Sequence, residues 1–186
     1  EGKLVSHIAA GGALPSLLLW GPPGTGKTTL ARLLAKKSGA HMEFLSAVMS
    51  GVKEIRAVVA RATDRRDQYG QRTVLFLDEI HRFSKSQQDG LLHGVEEGVV
   101  TLIGATTENP SFEVISALLS RSRVFILNQL SEDEIEKIIL NALMHDEAFQ
   151  KAVKLSDDNR HLIARLSNGD ARAALNILEL SISLTD

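Results

Sequence analysis

The sequence predicts an α/β fold in which a parallel sheet is sandwiched by helices and followed by a small helical domain. Three observations lead there. Short apolar segments alternate with amphipathic helical periodicity as far as Gln129, the pattern of a doubly wound sheet. The apolar segments lack in–out alternation, as strands buried on both faces do. Beyond Leu130 the strand signals stop and helical ones continue.

The elements follow in order. Residues 16–20 form a short buried strand that runs into Gly21-Pro22-Pro23-Gly24. A helix over 27–37 carries Leu30, Leu33 and Leu34 on one face. Residues 42–45 read as a strand. Residues 52–68 are helical, with Val52, Ile55, Val58, Val59 and Ala62 at helix spacing. A continuous apolar strand over 73–77 ends in Asp78-Glu79. A helix covers 86–95, and strands cover 99–105 and 124–127. Ser131 and Glu134 then form a capping box, and its helix runs to His145. A polar stretch spans 146–159, followed by helices over 160–166 and 170–184. The domain division expected is an α/β core over 1–129 and a helical domain over 130–186.

Composition narrows the function classes. The chain has 186 residues, 44% hydrophobic and 24% charged, which is ordinary for a globular protein and excludes disorder, collagen and coiled coil. No apolar run approaches the ~20 residues that span a bilayer. No basic start precedes an apolar stretch, so no signal peptide and no membrane partner are expected. The absence of cysteine excludes disulfides, zinc thiolate sites and thiol catalysis. Net charge is −2, unevenly spread: residues 1–129 carry fifteen Lys/Arg against twelve Asp/Glu, and residues 130–186 carry six against eleven. Of the two parts, the first is the better suited to touch DNA, although so small a surplus is also ordinary surface.

Chemistry concentrates at strand ends. Gly21-Pro22-Pro23-Gly24-Thr25-Gly26-Lys27-Thr28 matches the phosphate loop Gly-x-x-x-x-Gly-Lys-Ser/Thr, with a strand before it and a helix after it. Its glycines let successive N–H groups face an anion, and the helix adds its positive end. Lys27 is expected to bridge the β- and γ-phosphates of ATP, and Thr28 to ligate Mg²⁺. Asp78, at the end of the next apolar strand, is expected in the Mg²⁺ shell. Glu79 is expected to orient or deprotonate the attacking water. In Ile103-Gly104-Ala105-Thr106-Thr107-Glu108-Asn109 another strand ends in polar side chains. Thr107 is the candidate sensor of the γ-phosphate, with Thr106 and Asn109 as rivals. Arg121 and Arg123 precede the last strand and offer an arginine finger. Arg172 opens the last helix and is a second candidate to reach the γ-phosphate. His81-Arg82-Phe83-Ser84-Lys85 combines basic side chains with an aromatic, which suits phosphate-backbone contact or a solvated loop. The helix bearing Lys53, Arg56, Arg61, Arg65 and Arg66 reads as a solvated face.

In order, these segments resemble the Walker A, Walker B, sensor 1, arginine finger and sensor 2 motifs of an AAA+ P-loop NTPase, over nearly the whole chain. Leu118-Leu119-Ser120-Arg121 and Gly169-Asp170-Ala171-Arg172 resemble the clamp-loader clade. The stretches 78–89, 103–112 and 46–56 resemble the replication-associated recombination protein A family (also called MgsA and, in eukaryotes, the Werner-helicase-interacting ATPase), in its bacterial form. The resemblance carries nucleotide contact onto residues 21–28, Thr29, Asp78 and Asn109. It makes Lys27, Glu79, Thr107, Arg121 and Arg172 catalytic, Arg121 acting on a neighbour's nucleotide and Arg172 in cis, with Arg123 a rival finger. It implies ATP/ADP and Mg²⁺ as cofactors and a helical lid over 130–186. It implies a DNA-dependent ATPase acting at forks, gaps or ends in replication, recombination and repair. Homo-oligomers, typically tetramers, contact with single-stranded-DNA-binding protein, and a place on the bacterial nucleoid in the cytoplasm are implied too. Ser84, Ser122 and His93-Gly94 depart from the family's usual residues without removing a catalytic group. Family members have a segment before Glu1 that helps hold the adenine, and an oligomerisation domain after the lid, so the chain reads as an excised ATPase module. The rivals are a clamp-loader subunit, a branch-migration motor, or a nucleotide-gated scaffold with little hydrolysis.

Overall fold

The computed structural model describes residues 12–46, 51–145 and 155–184. Residues 47–50 of the 46–56 stretch, and 146–154 of the polar stretch, lie outside the described residues. Contacts divide the chain into two units: residues up to Gly21 with Lys27–Ile126, and Pro22–Gly26 with Leu127–Asp186.

The first unit holds the sheet. Its strands are β1 (Leu17–Trp20), β2 (His41–Ser46), β3 (Thr73–Asp78), β4 (Val100–Thr106) and β5 (Arg123–Ile126). All pair parallel, in the order β2-β3-β4-β1-β5. Helices α1 (Lys27–Lys37), α2 (Val52–Tyr69) and α3 (Lys85–Glu96) connect them, with a 3₁₀ turn at Ile80–Arg82 and two single-turn helices, α4 (Pro110–Glu113) and α5 (Ser116–Leu119). The sequence pattern had no signal for these last three, because a single turn carries no periodicity to read.

Central strands and edge strands differ as their places require. Val74, Leu75, Phe76 and Leu77 of β3 are buried, as are Leu17, Leu18 and Leu19 of β1. Leu18, Ile55, Leu75, Leu77, Ile80, Leu91 and Leu102 join one core cluster, each fully buried side chain contributing about 1.5–3 kcal/mol of transfer energy. The edge strand β5 leaves Val124 and Ile126 exposed, and β2 exposes Phe44 beneath the guanidinium of Arg32, 4.8 Å from the ring centre. In α1 the buried face is Ala31, Leu34 and Ala35, which corrects the expected Leu30–Leu33–Leu34 face. Leu33 is exposed, because the helix turns its small side chains to the sheet, where backbone approach is closest.

One buried polar side chain fixes the segment after β4. Gln88 of α3 is 1% exposed. Its Nε2 donates to Phe83 O and Glu113 O, both at 3.0 Å, and its Oε1 accepts from Ile115 N–H at 2.9 Å. The loop carrying α4 and α5 is thereby tied to α3 by main-chain groups that burial would otherwise leave unpaired.

The second unit is helical: α6 (Glu132–His145), α7 (Asp157–Leu166) and α8 (Ala171–Ser183). Ile135, Ile139, Ile163, Ala164, Ala174 and Leu178 form its core. The capping box is present: Ser131 N–H donates to Glu134 Oε2 at 2.9 Å, and Glu134 N–H to Ser131 Oγ at 3.3 Å. Helix α7 begins three residues before the 160–166 expectation because Ser156 caps it, accepting from Asn159 N–H at 3.3 Å. Among the described residues no helix is long and apolar enough to cross a membrane.

Candidate functional site

The sheet order sets β4 between β1 and β3. Trp20, the end of β1, lies opposite Thr106, the end of β4, and Gly21 N–H continues the pairing by donating to Thr106 O at 3.2 Å. On the other side of β4, Leu77 lies opposite Gly104, so β3 delivers Asp78 and Glu79 beside the same strand end. Ligands of open α/β sheets bind outside this edge.

From β1 the chain turns into α1. Gly24 and Gly26 have φ of 68° and 84°, values that favour glycine because a Cβ would clash. Thr25 Oγ1 donates to Pro22 O at 2.9 Å, bracing the turn. Pro22 and Pro23 are exposed, Thr25 is buried, Thr28 is half-buried and Thr29 is exposed. Lys27 Nζ donates to Gly21 O at 2.8 Å, folding its ammonium back along the turn. The first N–H groups of α1 lack intrahelical acceptors, which suits an anion at that end. Among the described residues, no group of three or more His, Asp or Glu side chains forms a stand-alone metal site. One hydroxyl and one carboxylate, Thr28 and Asp78, fit instead a Mg²⁺ whose remaining ligands are phosphate oxygens and water.

The carboxylate end of β3 is strained. Glu79 has φ 54° and ψ 49°, a left-handed backbone costing about 1–2 kcal/mol for a residue with a Cβ. The 3₁₀ turn holds it there: Arg82 N–H donates to Glu79 O at 2.8 Å and Phe83 N–H to Ile80 O at 3.1 Å. As a result the Glu79 carboxylate meets side chains of its own turn. Its Oε2 lies 3.1 Å from His81 Nε2 and 3.6 Å from Arg82 Nε. The His81 ring is 13% exposed, and its Nδ1 lies 2.9 Å from Thr106 Oγ1. His81 is thus turned inward, while Arg82 and Lys85 of the same loop, which suited either phosphate-backbone contact or a solvated surface, remain exposed.

The sensor candidates separate. Thr106 is buried, its hydroxyl engaged by His81 and by Glu108 N–H at 3.0 Å. Thr107 is exposed. Asn109 caps α4, Oδ1 accepting from Ser111 N–H at 3.0 Å. Arg121 is exposed on its guanidinium, yet anchored: Nη2 lies 2.7 Å from Glu96 Oε1, and Nη1 donates to Ala117 O at 2.9 Å. Arg123 opens β5, its side chain exposed and its N–H donating to Ser16 O.

In the second unit, Arg172 is exposed in the first turn of α8, its N–H donating to the capping Asp170 Oδ1 at 2.8 Å. The preceding Ala171 N–H donates to Gly24 O at 3.2 Å. A Cβ on Gly24 would collide with the Asp170 carboxylate.

Two residues outside the sequence-based candidates, Gln88 and Glu96, are built into this region, and His81 has a place there that its loop composition did not indicate. For Gln88 and Glu96 the only signal was a polar residue on a helix, indistinguishable from surface. For His81 the signal was its place two residues after Glu79, which has meaning only once the backbone of Glu79 is known to be left-handed.

Residues 17–130 match the family described as the ATPase family associated with various cellular activities (AAA). The chain is 51% identical over 188 residues to replication-associated recombination protein A of Escherichia coli strain K12, covering 100% of this chain and 42% of that protein. It is 44% identical over 180 residues to the ATPase WRNIP1 of Dictyostelium discoideum, covering 96% of this chain and 20% of that protein. The chain therefore spans less than half the length of these relatives. In fold it is similar to the RuvB Holliday junction branch migration motor of Thermotoga maritima, at a TM-score of 0.75 and 30% identity over 94% of this chain and 58% of that one.

Proposed function

The chain belongs to the ATPase family associated with various cellular activities, and from that premise we propose that it is the ATP-hydrolysing module of a DNA-dependent ATPase of replication-fork maintenance, recombination and repair. The observation that carries the hydrolytic reading is the meeting of three strand ends. The phosphate loop leaves β1, Thr106 and Thr107 end or follow β4, and Asp78-Glu79 leave β3, all at one sheet edge. The DNA reading rests on the 51% identity to replication-associated recombination protein A.

In this reading the N–H groups after Gly21 and the ammonium of Lys27 hold the nucleotide phosphates. Thr28 and Asp78 hold Mg²⁺, which when bound neutralises charge on the β- and γ-oxygens. Glu79 orients and accepts a proton from the water, Thr107 contacts the γ-phosphate region, and Arg172 acts in cis. Arg121 serves the nucleotide of an adjacent copy in a homo-oligomer, a tetramer by the family resemblance. The helical domain over 130–186 acts as lid to the core over 1–129. The same proposal includes single-stranded-DNA-binding protein as a partner and puts the protein in the bacterial cytoplasm, on the nucleoid. A second reading, a branch-migration motor, is favoured by the likeness to RuvB.

The test is ATP turnover of the full-length protein on forked, gapped, blunt, single-stranded and four-way-junction DNA. Stimulation by forks, gaps or ends is expected; stimulation by junctions alone would favour the second reading. Glu79→Gln should keep ATP affinity in calorimetry and lower turnover by about 10²-fold. Normal turnover in that variant would remove Glu79 from the chemistry.

A further inference from the structure

We propose that His81 is a positioning residue for Glu79, holding one carboxylate oxygen in place while the other faces the attacking water. The inference rests on the reading of Glu79 as the base. The geometry is a chain from the end of β4 to the acidic pair. Glu108 N–H donates to Thr106 Oγ1 at 3.0 Å, Thr106 Oγ1 lies 2.9 Å from His81 Nδ1, and His81 Nε2 lies 3.1 Å from Glu79 Oε2.

An ionised carboxylate only accepts, so the ring must carry a proton on Nε2 to hold Glu79. In the neutral ring Nδ1 then lacks a proton and takes one from the Thr106 hydroxyl, whose own lone pair is engaged by Glu108 N–H. In the doubly protonated ring Nδ1 donates instead, and Thr106 turns its hydroxyl to Glu108 O, 3.2 Å away. With its proton on Nε2, either state of the ring can approach Glu79 Oε2, 3.1 Å away.

Burial makes the link directional. Thr106 is 1% exposed and the His81 ring 13%, while the Glu79 side chain is 39% exposed. The chain thus runs from the sheet interior to its wet edge, and the buried end orients the exposed one. Both polar neighbours of the carboxylate, His81 and Arg82, approach Oε2. A carboxylate held by one oxygen has lost the rotation that would misplace the other, the kind of restraint that effective molarity depends on.

The test uses the full-length protein in steady-state ATPase assays with stimulating DNA. His81→Phe keeps a ring and removes both nitrogens. It should lower kcat by about tenfold to a hundredfold and leave KM for ATP, and ATP affinity in calorimetry, within about threefold. His81→Gln keeps an N–H donor on a side chain of similar reach and should recover part of the loss. Thr106→Val should lower kcat by a smaller factor. In the Glu79→Gln background, adding His81→Phe should change residual turnover less than about twofold, because residues acting through one another are non-additive. A merely structural role would instead give additive losses, a matching fall in ATP affinity and no recovery with Gln. If His81→Phe is poorly folded by circular dichroism, the Gln and Thr106→Val variants carry the test. Unchanged or raised kcat in the His81 variants, with Glu79→Gln inactive, overturns the inference and leaves the reading of Glu79 standing. Normal turnover in Glu79→Gln overturns both.

Discussion

Gly104 lies inside β4 with its Cα hydrogen where any other residue would have a side chain. A Cβ there would meet Leu18 Cδ2 at 2.7 Å and Ile80 Cδ1 at 3.0 Å. Both neighbours are fully buried, and Ile80 directly follows the strained Glu79. Gly104→Ala should therefore act as overpacking and lower stability by about 1–3 kcal/mol, read by urea unfolding. An unchanged midpoint would show that Leu18 and Ile80 yield freely. The same close approach explains why a glycine stands in an otherwise apolar strand: it lets the 3₁₀ turn after β3 settle on β4, which brings His81 to Thr106.

At the scale of elements, β2 is an edge strand held to α2 by charge as well as by pairing with β3. Glu43 of β2 accepts from Arg61 Nη2 at 2.9 Å and Arg65 Nη2 at 3.2 Å. The Arg61 hydrogen bond does most to hold the Glu43 carboxyl below its ordinary value of 4.5; burial opposes this and Arg65 adds to the lowering. A carboxyl depressed in the folded state adds stability above its unfolded value and loses it as pH falls through the folded value. Arg61 is 52% exposed, so solvent screening keeps the contribution near 0.5–1 kcal/mol, about the upper range for surface pairs. Glu43→Gln should lower stability by that amount near neutral pH. The difference between the two proteins should shrink as pH falls below 4.5. Unfolding curves across pH check this; a gap that persists in acid would mean that packing, not charge, is lost. The pairing also removes Arg61 and Arg65 from any open basic face on α2.

At the scale of the whole molecule, the proposed finger is an assembly property. Arg121 is 42% exposed on its side chain, and Glu96 and Ala117 O hold it at one end of α5. Anchored arginines lose less freedom on meeting a phosphate, and fingers supplied in trans are worth roughly 10³–10⁵ in rate. In the proposed full-length oligomer, Arg121→Ala and Glu79→Gln proteins should each be nearly inactive, and mixing them should restore turnover. With random head-to-tail mixing about a quarter of interfaces pair a good Glu79 with a good Arg121. Steady-state ATPase on mixtures shown by native mass spectrometry to be co-assembled measures this; no recovery would mean that Arg121 acts in cis, that Arg123 carries the role, or that the sites must fire together.

The order and type of the long elements, and the loop chemistry, are encoded locally. Periodicity of 3.6 in α2 and the continuous apolar run of β3 are properties of neighbouring residues, and Gly21 to Thr28 carries its turn in its own glycines. The capping box at Ser131 is equally local. Other features depend on residues far apart in the chain. Strand order makes Thr106 of β4 a partner for His81, twenty-five residues away in the chain. The left-handed backbone at Glu79 is held by the turn and the core beneath it, not by a preference of glutamate. Which face of α1 is buried depended on how closely that helix approaches the sheet, which favoured Ala31 and Ala35 over Leu33. The buried ties of Gln88 exist because α3 and the segment after β4 meet across the fold. Each of these is a contact between segments that the chain brings together only after the sheet has formed, and no local pattern encodes it.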